Sequence, residues 1–301
     1  MADNLFTNSN ILSWLRYFSD NTDIDLGQVK ILDITRKNKN LIPTVESHRA
    51  VLVFTEAGHP DIFYRMFNAG LGECKVIYND GSEPTGPIKE SFVYDMINRG
   101  IDSSAGMLVL NPKARSTIKF GISNEVFASG SVRYVGSEIR AVILSKMQLH
   151  EGKNVCVISG ESIAVESAML DGEGTIIAVE YSSRDRQTLE DNIHQFGINN
   201  ISIIDHVDAE TMKDLPIPDV TMLVASASME QEMECLLKLN PNMEFVIYTL
   251  DLTVAAGMAD IFLHYGLGTP DVTQIAVSTL TKKNTFETQP APWIITRKPQ
   301  D

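Results

Sequence analysis

The chain reads as an α/β protein, with a seven-stranded, doubly wound sheet over its second half and a smaller α/β lobe before it. Three observations predict this. Short apolar runs alternate with amphipathic stretches of helical period along most of the 301 residues. Such alternation gives parallel strands joined by right-handed crossovers. Asn154-Val-Cys-Val-Ile-Ser-Gly-Glu-Ser162 followed by Ile176-Ile-Ala-Val-Glu180 has the order strand, tight loop, helix, strand, carboxylate. That is the layout of a nucleotide-type cofactor site. The last two strands, 270–279 and 292–297, have no helix between them, so the sheet ends in an antiparallel hairpin.

In the first half, residues 8–19 form a helix with Ile11, Leu12, Leu15 and Phe18 on one face. Val29–Asp33 is a strand, and 50–54 is a buried strand bounded by a turn at 56–60. A helix over 61–69 follows, with Asp61 as its N-terminal cap and Gly70 as its stop. A strand at 74–78, a polar Gly/Pro loop at 79–87, a helix at 91–99 and a strand at 106–111 complete the lobe, which Pro112 closes. Alternation here too implies parallel pairing. Residues 121–136 carry Gly121, Gly130 and Gly136 without periodicity and read as a linker. The expected division is 1–120, the linker 121–136, and 137–301.

The second half opens with a helix at 138–149, its buried face formed by Ile139, Val142, Ile143 and Met147. Strand 154–158, helix 162–170, strand 175–179, helix 184–196 and strands 200–204 and 219–225 follow. Helix 229–239, strand 243–249 and helix 253–265 lead to the final strand pair.

Charge separates the halves. Residues 1–150 hold 16 Lys+Arg and 16 Asp+Glu, whereas 151–301 hold 9 and 23, so the net charge of −14 lies wholly in the second half. An acidic surface argues against nucleic acid as a partner; its plain reading is a solvated face that aids solubility. No apolar run of about 18 residues exists to span a membrane, and Met1-Ala-Asp-Asn-Leu-Phe6 lacks the order of a signal peptide. Cys74, Cys156 and Cys235 are widely spaced among apolar residues and read as buried free thiols of a cytoplasmic protein. Neither the cysteines nor the six histidines show metal-ligand spacing, so no metal is expected.

In a doubly wound sheet the ligand sits at the carboxyl ends of the strands. Three positions matter. The loop after the first strand must let backbone approach the ligand, which favours glycine; here it is Ser159-Gly160-Glu161, with one glycine. A carboxylate ending the second strand accepts from both ribose hydroxyls. Glu180 stands there, before Ser182-Ser183, which cap the next helix. Its other reading is an exposed helix-capping acid. Small or polar residues after the third strand flank the adenine, and Asp208-Ala209 fit that role. Asp208 reads equally as the cap of a loop turn. Catalytic side chains are not identifiable.

The second half resembles the decarboxylating C15 methyltransferase of cobalamin biosynthesis, a class I, Rossmann-like methyltransferase. Gly136-Ser-Glu-Ile-Arg-Ala-Val-Ile-Leu-Ser-Lys146 is similar to that family's T-K-x-E-V-R-A-x-x-L-x-K entry helix. Ala178-Val-Glu180, Asp191-Asn-Ile-His-Gln-Phe-Gly197, Asp208-Ala-Glu210, Leu239-Asn-Pro241 and Trp293-Ile-Ile-Thr296 continue the likeness over 130–298. The first half resembles the C-terminal part of the C5 methyltransferase often fused to it, through Val29-Lys-Ile-Leu-Asp-Ile-Thr-Arg36, Arg49-Ala-Val-Leu-Val-Phe-Thr55, Ala69-Gly-Leu-Gly72 and Phe120-Gly-Ile-Ser-Asn-Glu-Val-Phe127. The fused family is that of precorrin-6Y C5,15-methyltransferases.

The resemblance implies S-adenosylmethionine as cofactor, held by Ser159, Gly160, Glu180, Asp208 and Ala209, and a precorrin or cobalt-precorrin as substrate. It also implies a homo-oligomer. A separate chain supplying the missing C5-methylase lobe is a further expectation, because the fused enzymes begin with an α/β domain that has no counterpart here. Departures are specific. The family's D-x-G-x-G-T-G loop is here Val155-Cys-Val-Ile-Ser-Gly-Glu161, and its G-G-S-G-G turn is Ala225-Ser-Ala-Ser228. Glu161 would face the methionine carboxylate of that cofactor. A non-catalytic methyltransferase-fold subunit or binding module is therefore the alternative expectation.

Overall fold

The computed structural model describes residues 9–35, 40–55, 61–79, 81–97, 99, 105–116, 119–128 and 135–297. The expected turn at 56–60, position 80 of the Gly/Pro loop, position 98 of the expected helix and 129–134 of the linker lie outside them. Two units form. One is Met1–Thr117 with Gln195–Asn199; the other is Ile118–His194 with Asn200–Asp301.

The first unit runs α1 (Ser9–Asn21), β1 (Val29–Asp33), α2 (Leu41–Ser47), β2 (Ala50–Thr55), α3 (Ile62–Met66), β3 (Lys75–Tyr78), β4 (Lys89–Phe92), α4 (Val93–Met96) and β5 (Ala105–Leu110). Its sheet has the order β1-β2-β5-β3-β4. Every residue of β2 is buried, as its continuous apolar run requires. One face packs Val51, Val53, Phe63, Met66, Val76 and Val109. The other packs Leu52, Phe54 and Leu108 against Trp14 and Phe18 of α1.

All-parallel pairing does not hold here. β1 and β2 are parallel, but β5 is antiparallel to both β2 and β3. The cause is β4, an exposed edge strand that takes up the first two positions of the helix expected over 91–99 and leaves the short α4 as its helical part. It forms a hairpin with β3 and reverses the chain, so β5 emerges in the opposite sense. Asp61 does not cap α3 through its side chain, because it takes helical angles itself (φ −86, ψ −4). That helix widens into a π-type turn over Phe67–Leu71, where Gly70 has φ 79.

Residues 195–199 complete this unit. Gly197 has φ +63, and a Cβ there would meet Ile42 Cβ at 2.4 Å. The Asn199 backbone N–H donates to Asn40 Oδ1 at 2.9 Å.

The second unit comprises α5 (Ser137–Met147), β6 (Val155–Ile158), α6 (Glu161–Leu170), β7 (Ile176–Val179), α7 (Ser183–Phe196), β8 (Ile201–Ile204) and β9 (Val220–Val224). It continues through α8 (Met229–Leu239), β10 (Glu244–Thr249), α9 (Leu252–His264), β11 (Asp271–Gln274), β12 (Ser278–Leu280), β13 (Phe286–Thr288) and β14 (Trp293–Arg297). The seven-stranded sheet has the order β11-β14-β10-β9-β6-β7-β8. β14 is antiparallel to both neighbours, and the β10-β9, β9-β6, β6-β7 and β7-β8 pairs are parallel.

The expected strand over 270–279 breaks after Gln274. Its next residues face Pro290 and Pro292, which lack the N–H donors a ladder needs. The chain then forms a separate ribbon, β12 against β13.

On α5, Ile139, Ile143 and Met147 are buried as expected, but Val142 is only half-buried and Arg140 is buried instead. Arg140 Nε donates to Glu166 Oε1 at 2.8 Å, with both side chains fully inaccessible. Arg140 also reaches Asn124 Oδ1 (2.8 Å) and the Ile122 carbonyl, and lies 5.0 Å from the centre of the Phe127 ring. Glu166 accepts from the N–H groups of Gly121 (3.0 Å) and Ile122 (2.8 Å). Residues 121–127, read from sequence as the start of a linker, are thereby fastened onto the second unit.

Candidate functional site

The carboxyl ends of β6, β7, β8 and β9 carry the residues singled out from sequence. The loops after β6, β7 and β9 are short, so the strand ends fix where their side chains sit, whereas β8 leads into the long connection 205–219.

Ser159 follows β6 with φ 57, the left-handed region where glycine is favoured. Its N–H donates to the Val179 carbonyl at 3.0 Å. Gly160 is the N-cap of α6, and its carbonyl accepts from Ile163 and Ala164. A Cβ on Gly160 would meet Val157 Cγ1 at 2.7 Å. This glycine therefore lets the helix pack onto the strand. Its Cα does not look into an open ligand space.

Glu180 is buried, with 5% of its surface accessible, so it is not the exposed capping acid of the other reading. Glu161 on α6 and Asp185 on α7 are buried beside it (6% and 7%). The three carboxyl groups offer oxygens within 4.8 Å of one another. Burial, then the charges of Glu161 and Asp185, push the Glu180 carboxyl up to about 8, opposed by a backbone hydrogen bond at Gly160. The Arg186 guanidinium fixes the following backbone, donating to the carbonyls of Glu180 (2.7 Å) and Tyr181 (3.0 Å).

Asp208 serves as a turn cap. Its Oδ1 accepts from the N–H groups of Glu210 (2.9 Å) and Thr211 (2.8 Å), and its Oδ2 meets His206 Nε2 at 3.0 Å. The Thr211 backbone bond leads the influences that hold its carboxyl below the usual range. Ala209 beside it is exposed. The structure thus brings Gly160 and Glu180 together and engages Asp208 in its own loop.

Sequence reasoning missed Asp185, Tyr181 and Glu232. Glu232 on α8 is 3% exposed, and burial pushes its carboxyl up to about 7. Its Oε1 accepts from the Tyr181 hydroxyl and from Ser228 Oγ (2.8 Å). A signal for both acids was present. Met229, Glu232, Met233 and Leu236 are spaced i, i+3, i+4, i+7, as are Asp185, Thr188, Leu189 and Asn192, and each acid occupies one place in a buried stripe.

Cys74 and Cys156 are buried and Cys235 half-buried, all three free. Burial raises the Cys74 thiol to about 11 and that of Cys156 to about 12, which makes neither a nucleophile. No helix among the described residues is long and apolar enough to cross a membrane.

As these residues stand, S-adenosylmethionine does not fit them. A ribose on Glu180 would have to displace Glu161 or Asp185, and the loop that should cradle the methionine end has its one glycine packed against Val157.

The fold is nonetheless a definite one. Five strands, β8-β7-β6-β9-β10, followed by an antiparallel β14 and an edge β11, make the sheet of the class I, S-adenosylmethionine-dependent methyltransferases. Residues 128–294 match the family model of the precorrin methyltransferase domain, and the chain belongs to that family. Two solved structures share the fold. Precorrin-6Y C5,15-methyltransferase from Geobacter metallireducens is 22% identical at a TM-score of 0.57, over 62% of this chain and 100% of that one. Precorrin 8w decarboxylase from Methanobacterium thermoautotrophicum is 14% identical at 0.51, over 58% and 98%. No curated protein matches the chain.

Proposed function

We propose that the chain serves the C15 step of cobalamin biosynthesis, methylating a precorrin or cobalt-precorrin at C15 with loss of an acetate carboxyl group. The observation that carries this is the match of 128–294 to the precorrin methyltransferase domain on a complete seven-stranded sheet. S-adenosylmethionine supplies the methyl group in this reading. Of the residues expected to hold it, Ser159, Gly160, Glu180, Asp208 and Ala209, Glu180 would be the contact for its ribose once Glu161 and Asp185 moved aside, whereas Gly160 is packed on Val157 and Asp208 is engaged in its own turn. Positioning a donor against a nucleophilic ring carbon demands no side-chain nucleophile. The first unit is, in the same reading, a tetrapyrrole-methylase-like lobe. The protein would act as a cytoplasmic homo-oligomer.

The packing of Glu161, Glu180 and Asp185 favours a second reading, a non-catalytic subunit that keeps the fold and binds tetrapyrrole without a methyl donor. Isothermal titration with S-adenosylmethionine separates the two. Micromolar binding supports the methyltransferase and removes the second reading. Silence at millimolar ligand removes the first.

A further inference from the structure

The strand order places β6 between β7 and β9. Tyr181 stands just after β7, whereas Ser228 and Glu232 follow β9. A hydrogen bond from Tyr181 to Glu232 therefore passes over β6 from one neighbour to the other. Glu232 shares the buried stripe of α8 with Met229 and Met233, which pack in one core with Cys156 and Ile158 of β6. The contact crosses the place where ligands enter a doubly wound sheet.

We propose that Tyr181, tied to Glu232, is a strap that closes the crevice at the carboxyl end of β6 and must release before an adenosine-type ligand enters. The proposal rests on the first reading of function.

The strap is built at both ends. Arg186 holds the Tyr181 backbone carbonyl at 3.0 Å, so the side chain swings from a fixed point. Ser226 Oγ lies 3.0 Å from Ser228 Oγ, which donates to the same Glu232 oxygen as Tyr181. The other carboxyl oxygen, Oε2, is buried with no hydrogen-bond partner, so the pair on Oε1 is all that satisfies this acid. Near neutrality Glu232 accepts from the phenol when ionised and donates to it when protonated, so the link survives in either state. Tyr181 is 45% exposed, and its outer edge is open to solvent. A strap that must break lowers apparent affinity by the fraction of open molecules. One hydrogen bond to a carboxyl group accounts for about 10-fold in that fraction.

The test uses the full chain with Tyr181→Phe and, separately, Glu232→Gln. Hydrogen exchange of the amides at 159–163 is expected to quicken about 10-fold in Tyr181→Phe, with β9 and β10 unchanged as the control for folding. S-adenosylhomocysteine is expected to bind Tyr181→Phe about 10-fold more tightly than the parent. Equal exchange in parent and variant overturns the strap, as does equal, measurable affinity. Faster exchange with no binding by either protein upholds the closure and removes the methyl-donor reading instead. Glu232→Gln keeps a hydroxyl acceptor at the same place, so it is expected to fall between parent and Tyr181→Phe; an effect larger than that of Tyr181→Phe would mean that Glu232 acts through the core and not through the strap.

Discussion

Arg140→Ala offers the sharpest test of how the second unit is held together. The guanidinium has no accessible surface and faces a carboxylate, Glu166, that has none either. Besides Glu166 it serves Asn124 Oδ1, the Ile122 and Val135 carbonyls and Ser162 Oγ. Removing it leaves Glu166 buried with only the N–H groups of Gly121 and Ile122 as the donors named above. An uncompensated buried charge of this kind costs about 3–5 kcal/mol. At about 2–4 °C per kcal/mol for a unit of this size, the midpoint should drop by roughly 6–20 °C. Urea unfolding followed by hydrogen exchange in peptides from β6 and β9 reports the second unit alone. The paired change Arg140→Met with Glu166→Leu removes both charges, and it should restore most of the loss because well-packed apolar replacements of buried pairs are close to neutral. A loss under about 1 kcal/mol for Arg140→Ala would refute the reasoning, since it lies below the cost of any unpaired buried charge. So would a double variant as weak as the single one.

Other outcomes follow from the crevice. A Glu180 carboxyl at about 8 means that the folded state holds a proton the unfolded chain has lost, so its contribution is complete below the ordinary carboxylate range and fades as pH rises toward 8. Urea unfolding of the parent minus that of Glu180→Gln should therefore slope downward from pH 5 to 8 and level off above; a flat difference would contradict the buried trio. Gly160→Ala should cost about 1–3 kcal/mol through its clash with Val157, with or without ligand; a neutral result in thermal unfolding would place that Cα in open space. Ser159→Gly should be neutral or raise stability by up to about 1 kcal/mol by relieving a left-handed residue, and marked destabilisation would argue against φ 57.

The sheet was legible because β6 and β7 are continuous apolar runs, buried on both faces, and because β14 follows β11 with no helix between. The position of Glu180 was legible because it directly ends the second strand of the unit, and the structure buries it there. What surrounds it was not. Glu161 reads from sequence as an acid facing the methionine end of the cofactor, and only the packing shows it beside Glu180. Glu232 and Asp185 belong to an acidic half whose plain reading is a solvated face, yet each sits in a buried stripe. β4 was missed because Lys89-Glu-Ser-Phe92 is an edge strand, whose exposed residues carry no apolar alternation. The entry-helix arginine suggested a family motif, and its place in the structure explains it as a fastening for residues 121–127.

The first unit draws residues 195–199 from far along the chain. During synthesis it therefore cannot finish when its own 117 residues have emerged. Its seat for Gly197 beside Ile42 stays empty until roughly 80 further residues are made, on the order of 4–16 s at ordinary elongation rates. For that interval the early lobe is an incomplete domain whose last piece is still to come. Cutting the gene between the two units would make this state permanent, so neither half should be traded or expressed as a free-standing module without losing part of the other.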